Sequence, residues 1–109
     1  PALIARLSLF AAMLAASLIA PSMAGLAQDS EYGVLHHAPG VEETFIYCAA
    51  CHSERLVAQQ GLSRQDWEEL FDWMVEEQGM DEIDEPDRSI VLDYLTEYYN
   101  VNRPYFPSR

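Results

Sequence analysis

The chain has no lysine, and its six arginines stand against 18 acidic residues, so 109 residues carry a formal net charge of −12. Such a surface repels nucleic acid and anionic lipid, which argues against binding to either. Cysteine is limited to Cys48 and Cys51, and histidine to His36, His37 and His52. That supply does not match finger spacing, so a zinc site built on the cysteine pair lacks its other half. There are no internal repeats and no convincing strands, which removes the βαβ setting a thioredoxin-like cysteine pair requires. Long apolar runs are also missing: the longest, Leu7–Ala20, is too short and too closely followed by Pro21 and Gly25 to span a membrane comfortably.

Against this sparse background stands Cys48-Ala49-Ala50-Cys51-His52. Two thiols three residues apart can add to the two vinyl groups of one porphyrin, and the histidine that follows is then held over the ring, where its imidazole can bind the iron. The expected cofactor is one covalently attached haem c, held by Cys48, Cys51 and His52. A disulfide, a redox-active thiol pair and half a zinc site are the competing readings of the same residues.

The N-terminus indicates the compartment. Arg6 precedes the apolar run, and Pro21-Ser22-Met23-Ala24-Gly25-Leu26-Ala27 supplies small residues for cleavage after Ala24 or Ala27. Residues 1–27 therefore read as a secretory signal peptide and the protein as exported to the periplasm, with an uncleaved anchor as the alternative. The chain starts at Pro1 rather than at methionine, and is expected to lack its first residue or residues. Thiols destined for haem must stay reduced until attachment, which makes a permanent Cys48–Cys51 disulfide a poorer reading still.

Cleavage after Ala27 leaves 82 residues, with five arginines against 18 acids and a formal charge of −13. One small domain is all that length allows, and its core is marginal without a staple. A covalently bound macrocycle would be that staple, so the apo chain is expected to fold poorly. The charge favours a partner with a basic face, or reflects a highly soluble surface.

Residues 28–40 lack a helical period and read as an extended leader. Val41, Phe45 and Cys48 share one helical face, with Glu42 and Glu43 in the first turn. Residues 53–62 read as a loop, whose expected task is a backbone carbonyl that accepts the second imidazole proton of His52. Arg55 in that loop is a candidate for a haem propionate or an ordinary surface residue. Ser63 opens the clearest helix, with Asp66 placed as in a capping box, and Gly79 is its natural stop. Its apolar stripe is Trp67, Leu70, Phe71, Met74, Val75 and Gln78, and acids fill the other faces. A last helix follows Pro86, with Ile90, Val91, Tyr94, Leu95 and Tyr98 as its stripe, and residues 101–109 form a tail.

The sixth iron ligand decides between carrying electrons and doing chemistry. Met74 and Met80 are the methionines beyond the signal region, and either gives His/Met coordination, which raises the potential relative to two histidines. Met74 is preferred, because in so small a domain its stripe must face the porphyrin. Met80, in a loop just after a helix, stays open as a competitor, and His36 or His37 would give bis-histidine ligation.

The Cys48-Ala49-Ala50-Cys51-His52-Ser53 run, Trp67, Met74, the Gln78-Gly79 turn and Asp93-Tyr94-Leu95 in the last helix resemble small periplasmic monohaem cytochromes c, in particular the cytochrome subunit of bacterial sulfite dehydrogenases. The resemblance spans roughly Val41 to Tyr99. It implies an all-α, small cytochrome c-like fold over residues 41–100, with N- and C-terminal helices packed around one haem. Phe45 with Tyr94 or Tyr98 is expected at the helix crossing. It also implies that the methionine seven residues after the tryptophan, here Met74, is the axial ligand. The family's tyrosine-glycine turn is here Gln78-Gly79 followed by Met80, which keeps Met80 in play.

The function expected from these residues is single-electron transfer rather than catalysis, so the chain itself is not expected to be an enzyme. A periplasmic dehydrogenase would give the electron, and a cytochrome or oxidase would take it. In the narrower form the donor is a molybdenum sulfite dehydrogenase subunit, with the leader and the Pro104-Tyr105-Phe106-Pro107 tail as docking segments; the tail could equally fold onto its own core. The contrasting expectation is an enzyme or sensor with an open or bis-histidine sixth site.

Overall fold

A computed structural model describes residues 31–108, and the signal region expected at 1–27 lies outside them. Four helices occur in order: α1 (Val41–Cys48), α2 (Glu54–Ala58), α3 (Arg64–Gln78) and α4 (Asp87–Tyr98). Among the described residues there is no strand, and no helix is long and apolar enough to cross a membrane. Over the described residues the chain is mostly helical and folds as one compact globule.

Local chemistry sets the helix limits. Gly40 turns the chain into α1 at φ 93°, and Glu42 and Glu43 sit in its first turn, where carboxylates favour the positive end of the helix dipole. Ser63 accepts a hydrogen bond from the Asp66 amide at 3.2 Å and starts α3; Gly79, at φ 73°, ends it with its amide on the Met74 carbonyl. Pro86 immediately precedes α4, where a missing N–H costs nothing.

The stretch expected as a loop at 53–62 contains a short helix instead. Ser53 accepts from the Arg55 amide at 3.2 Å and nucleates α2, and the turn buries Val57 and Ala58. The sequence signal was weak because five residues are too few to show a helical period.

α4 packs against both α1 and α3, and α2 rests on α1. Its inner side carries Val91, Leu92, Tyr94, Leu95 and, just beyond it, Tyr99. Ile90 and Tyr98, expected in the buried stripe, are only half-buried, because α4 has two neighbours and buries Leu92 in their place. The close approach of α1 and α4 lies at Gly40: a Cβ there would stand 3.0 Å from Tyr94 Cβ and 3.2 Å from the Ile90 carbonyl oxygen. Phe45 with Tyr94 or Tyr98 was expected at the crossing; Tyr94 is there, against Gly40, while the Phe45 ring lies 5.8 Å from that of Tyr32.

Two arginines tie acid-rich α3 to α4. Arg64 meets Asp93 at 2.6 Å and Arg88 meets Asp72 at 3.1 Å. Such exposed pairs contribute up to about 1 kcal/mol each, whereas burying one Val or Leu side chain contributes about 1.5–3 kcal/mol, so packing holds the helices and the arginines limit repulsion.

Residues 31–40, expected to be extended, fold into turns and join the core. Leu35 is 2 % exposed, and two buried phenols grip the backbone beside it: Tyr94 donates to the His36 carbonyl at 2.6 Å, and the His36 amide donates to Tyr99 Oη at 3.0 Å. The tail also folds back in part, with the Tyr105 ring stacked 3.9 Å from that of His36. Val101 and Phe106 remain exposed.

Candidate cofactor-binding site

α1 ends at Cys48, and the turn after it carries Cys51 and His52 to the start of α2. Trp67, Leu70, Phe71 and Met74 recur along α3 at helical spacing, and Met80 follows the helix end. These elements enclose a cavity of about 270 Å3. Its walls include Cys48, Cys51, His52 and Met74, so all four residues singled out in the sequence meet around one space. Met80 lines it too, while His36 and His37 do not. His36 is occupied by the Tyr98 and Tyr105 rings, and His37 lies beside the Tyr32 ring, at a centroid distance of 5.5 Å.

Trp67 fixes one end of the cavity. Its ring is buried, and Nε1 donates to the Tyr99 carbonyl at 3.1 Å, so this wall of α3 is bonded to the end of α4. Tyr47 anchors the other helix: its hydroxyl donates to Asp87 Oδ2 at 2.6 Å, joining the end of α1 to the start of α4. That hydrogen bond, with burial and the nearby carboxylates, raises the Tyr47 pKa and keeps the phenol protonated.

His52 Nδ1 lies 3.2 Å from the Ser53 carbonyl oxygen. A carbonyl only accepts, so this contact is a hydrogen bond when Nδ1 carries the proton, the tautomer that leaves Nε2 its lone pair for a metal. Within 53–62, the carbonyl that lies beside the imidazole is that of Ser53.

The two cysteines are free thiols, Cys48 half-buried and Cys51 exposed. Burial pushes the Cys48 thiol up to about 12. A thiol that works by exchange or as a nucleophile is held below the ordinary range by cationic neighbours, and Cys48 departs in the opposite direction. Among the described residues no group of three or more histidine, cysteine or acidic side chains could hold a metal ion.

The residues present fit a haem. A macrocycle needs an apolar slot with two thiols and an imidazole on its wall, and thioether sulfurs within the same lining. Tyr47, Leu56, Val57, Gln60 and Trp73 also line the cavity and were not foreseen. Leu56 belongs to the unrecognised α2. Trp73 is off the α3 stripe and 49 % exposed, so only the position of the cavity reveals it. Met74 and Met80 differ in setting: Met80 packs against the buried core, while Met74 belongs to the same α3 wall as Leu70 and Phe71. Arg55 directs Nη1 to the Ser108 carbonyl at 3.5 Å and is not part of the lining.

No family model, curated protein or solved structure matches this chain.

Proposed function

We propose that this protein is an exported c-type cytochrome that carries single electrons. In this reading it has a small cytochrome c-like fold, Cys48 and Cys51 hold one haem through thioether bonds, and His52 and Met74 bind its iron. The observation that carries the proposal is the convergence of both thiols, the His52 ring and Met74 on one apolar cavity. When bound, the haem supplies a reversible one-electron couple between ferrous and ferric iron.

The chain's own residues bind, orient and shield. Ser53 holds the Nδ1 proton of His52, which fixes the ring and raises its basicity as a ligand. Trp67, Leu70 and Phe71 give the cavity an apolar wall, which would damp the solvent rearrangement that accompanies a change of charge. The Tyr47–Asp87 and Trp67–Tyr99 bonds keep its two walls at constant separation. A filled sixth position makes the protein a carrier rather than an enzyme.

Acidic side chains dominate the outer surface of α3, with Asp66, Glu69, Asp72, Glu76 and Glu77 exposed, and continue through Asp81, Glu82, Asp84 and Glu85. They favour redox partners with a basic face and speed their encounter at low salt. The donor is a periplasmic dehydrogenase, in the narrower form the molybdenum subunit of a sulfite dehydrogenase, and the acceptor a second cytochrome or an oxidase.

The visible spectrum tests this reading. The mature protein, made in a host with cytochrome c maturation, should give a covalent c-type spectrum with the weak far-red methionine–iron band. Covalent haem without that band would replace the carrier with an open or bis-histidine site. Absence of haem would return Cys48 and Cys51 to thiol chemistry.

A further inference from the structure

One carboxylate ties the histidine turn to the segment before α1. Glu54 Oε1 accepts from the Val34 amide at 3.3 Å, and Glu54 Oε2 accepts from the Ser53 hydroxyl at 3.2 Å. The same hydroxyl accepts from the Arg55 amide at 3.2 Å. The Ser53 carbonyl receives both the His52 Nδ1 proton, at 3.2 Å, and the Leu56 amide, at 3.1 Å. Hydrogen bonds thus link the Val34 backbone to Glu54 and Glu54 to the Ser53 hydroxyl, and the covalent frame of Ser53 carries the connection on to the carbonyl that meets the His52 ring.

The far end of that path is anchored. Leu35 is in the core, and the His36 backbone is gripped by Tyr94 and Tyr99 from the far end of α4. The near end is shaped to receive the carboxylate. Gly33 has φ 59°, and a Cβ there would collide with the Glu54 carboxylate and stand 2.9 Å from its Cγ. A backbone without a side chain is what allows Glu54 to lie against residues 33–34.

We propose that Glu54 is a positioning residue for His52, which transmits the rigidity of the packed segment 32–36 to the Ser53 carbonyl that orients the imidazole. The proposal rests on His52 being an iron ligand. A firm Nδ1–H···O bond makes the imidazole a stronger donor and favours ferric iron. Loosening it moves the potential upward. Removing a negative charge near the iron does the same, so the test must separate position from charge.

Three variants of the haem-loaded protein do so: Glu54→Ala, Glu54→Gln and Gly33→Ala. The first removes the link and the charge. The second removes the charge but keeps an oxygen for Val34 and an amide for Ser53. The third keeps the charge but displaces the carboxylate. The readouts are the reduction potential and the exchange rate of the Val34 amide proton. Glu54→Ala and Gly33→Ala should both favour the reduced form by about threefold to tenfold, tenfold being about 59 mV for one electron. Both should also speed Val34 exchange by about tenfold or more, since that amide loses its partner. Glu54→Gln keeps the link and loses only the charge, so it should retain the parent Val34 exchange and shift the potential by less than either of the other two. Equal shifts in Glu54→Ala and Glu54→Gln with none in Gly33→Ala would overturn the proposal and make Glu54 a plain charge; unchanged potentials throughout would overturn it as well. Should Gly33→Ala fail to fold, the alanine–glutamine comparison at Glu54 decides alone. A parent protein without haem would be seen in the first spectrum and would remove the ligand reading and this inference together, whereas a normal parent spectrum with unshifted variants removes only the inference.

Discussion

Replacing Gly40 by alanine tests how α1, which carries Cys48, is seated on α4. Gly40 has φ 93°, where an L-residue is strained by roughly 1–2 kcal/mol. The added methyl would also stand 3.0 Å from Tyr94 Cβ and 3.2 Å from the Ile90 carbonyl oxygen. Both atoms are fixed to the α4 backbone, so no rotamer change relieves the contact and the helices must part, at about 1–3 kcal/mol for overpacking. Gly79 provides the control. It has φ 73°, but a methyl added there would meet nothing within 4 Å, so Gly79→Ala carries the backbone strain alone. Gly40→Ala should cost about 2–5 kcal/mol and Gly79→Ala about 1–2 kcal/mol, the difference being the helix contact. Urea unfolding followed by circular dichroism reads this directly. With a slope of about 1 kcal/mol per molar urea for so small a domain, Gly40→Ala should lower the midpoint roughly 1–3 M further than Gly79→Ala. Equal midpoints would refute the close approach of α1 and α4 at Gly40.

Other substitutions address the site and the core. Met74→Ala should open the iron to carbon monoxide while Met80→Ala leaves the spectrum nearly unchanged, and the opposite result would transfer the ligand role to Met80. Thr44 is fully buried, and its Oγ1 has no hydrogen-bond partner among the described residues, so Thr44→Val should stabilise by about 1 kcal/mol in the same urea assay; a loss of stability would mean the hydroxyl is satisfied. Burial raises the Tyr94 and Tyr99 phenols above their ordinary pKa of about 10. The unfolded chain therefore loses these protons first, so their contribution is intact below about pH 10 and falls as pH rises toward the folded values. Tyr94→Phe should cost about 1–3 kcal/mol at neutral pH through the orphaned His36 carbonyl, and should make the alkaline loss shallower. An unchanged alkaline slope would rule out Tyr94 as its source.

The convergence of Cys48, Cys51 and His52 on one cavity was legible because they are neighbours in sequence: all three lie within five residues, and local turn geometry brings them together. α3 was legible for a related reason. A serine cap, fifteen residues of helical period and a glycine stop are local instructions that packing had no cause to override. α2 was not, since five residues carry no period, and it exists because Val57 and Ala58 find a core to enter. Residues 31–40 misled more. Their glycines and proline read as an extended leader, but the phenols that hold them, Tyr94 and Tyr99, come from about sixty residues away. No local pattern announces a partner that distant.

By itself, then, the sequence determined helical class, an acidic surface, and which thiols and imidazole stand together, because each follows from composition or from contacts a few residues apart. Tertiary structure alone decided that Met74 and Met80 share one cavity with those groups, and that Ser53 supplies the carbonyl for His52. It alone bound the segment before α1 to both α4 and the histidine turn, because those contacts join residues twenty to sixty positions apart and exist only once the chain has closed on itself.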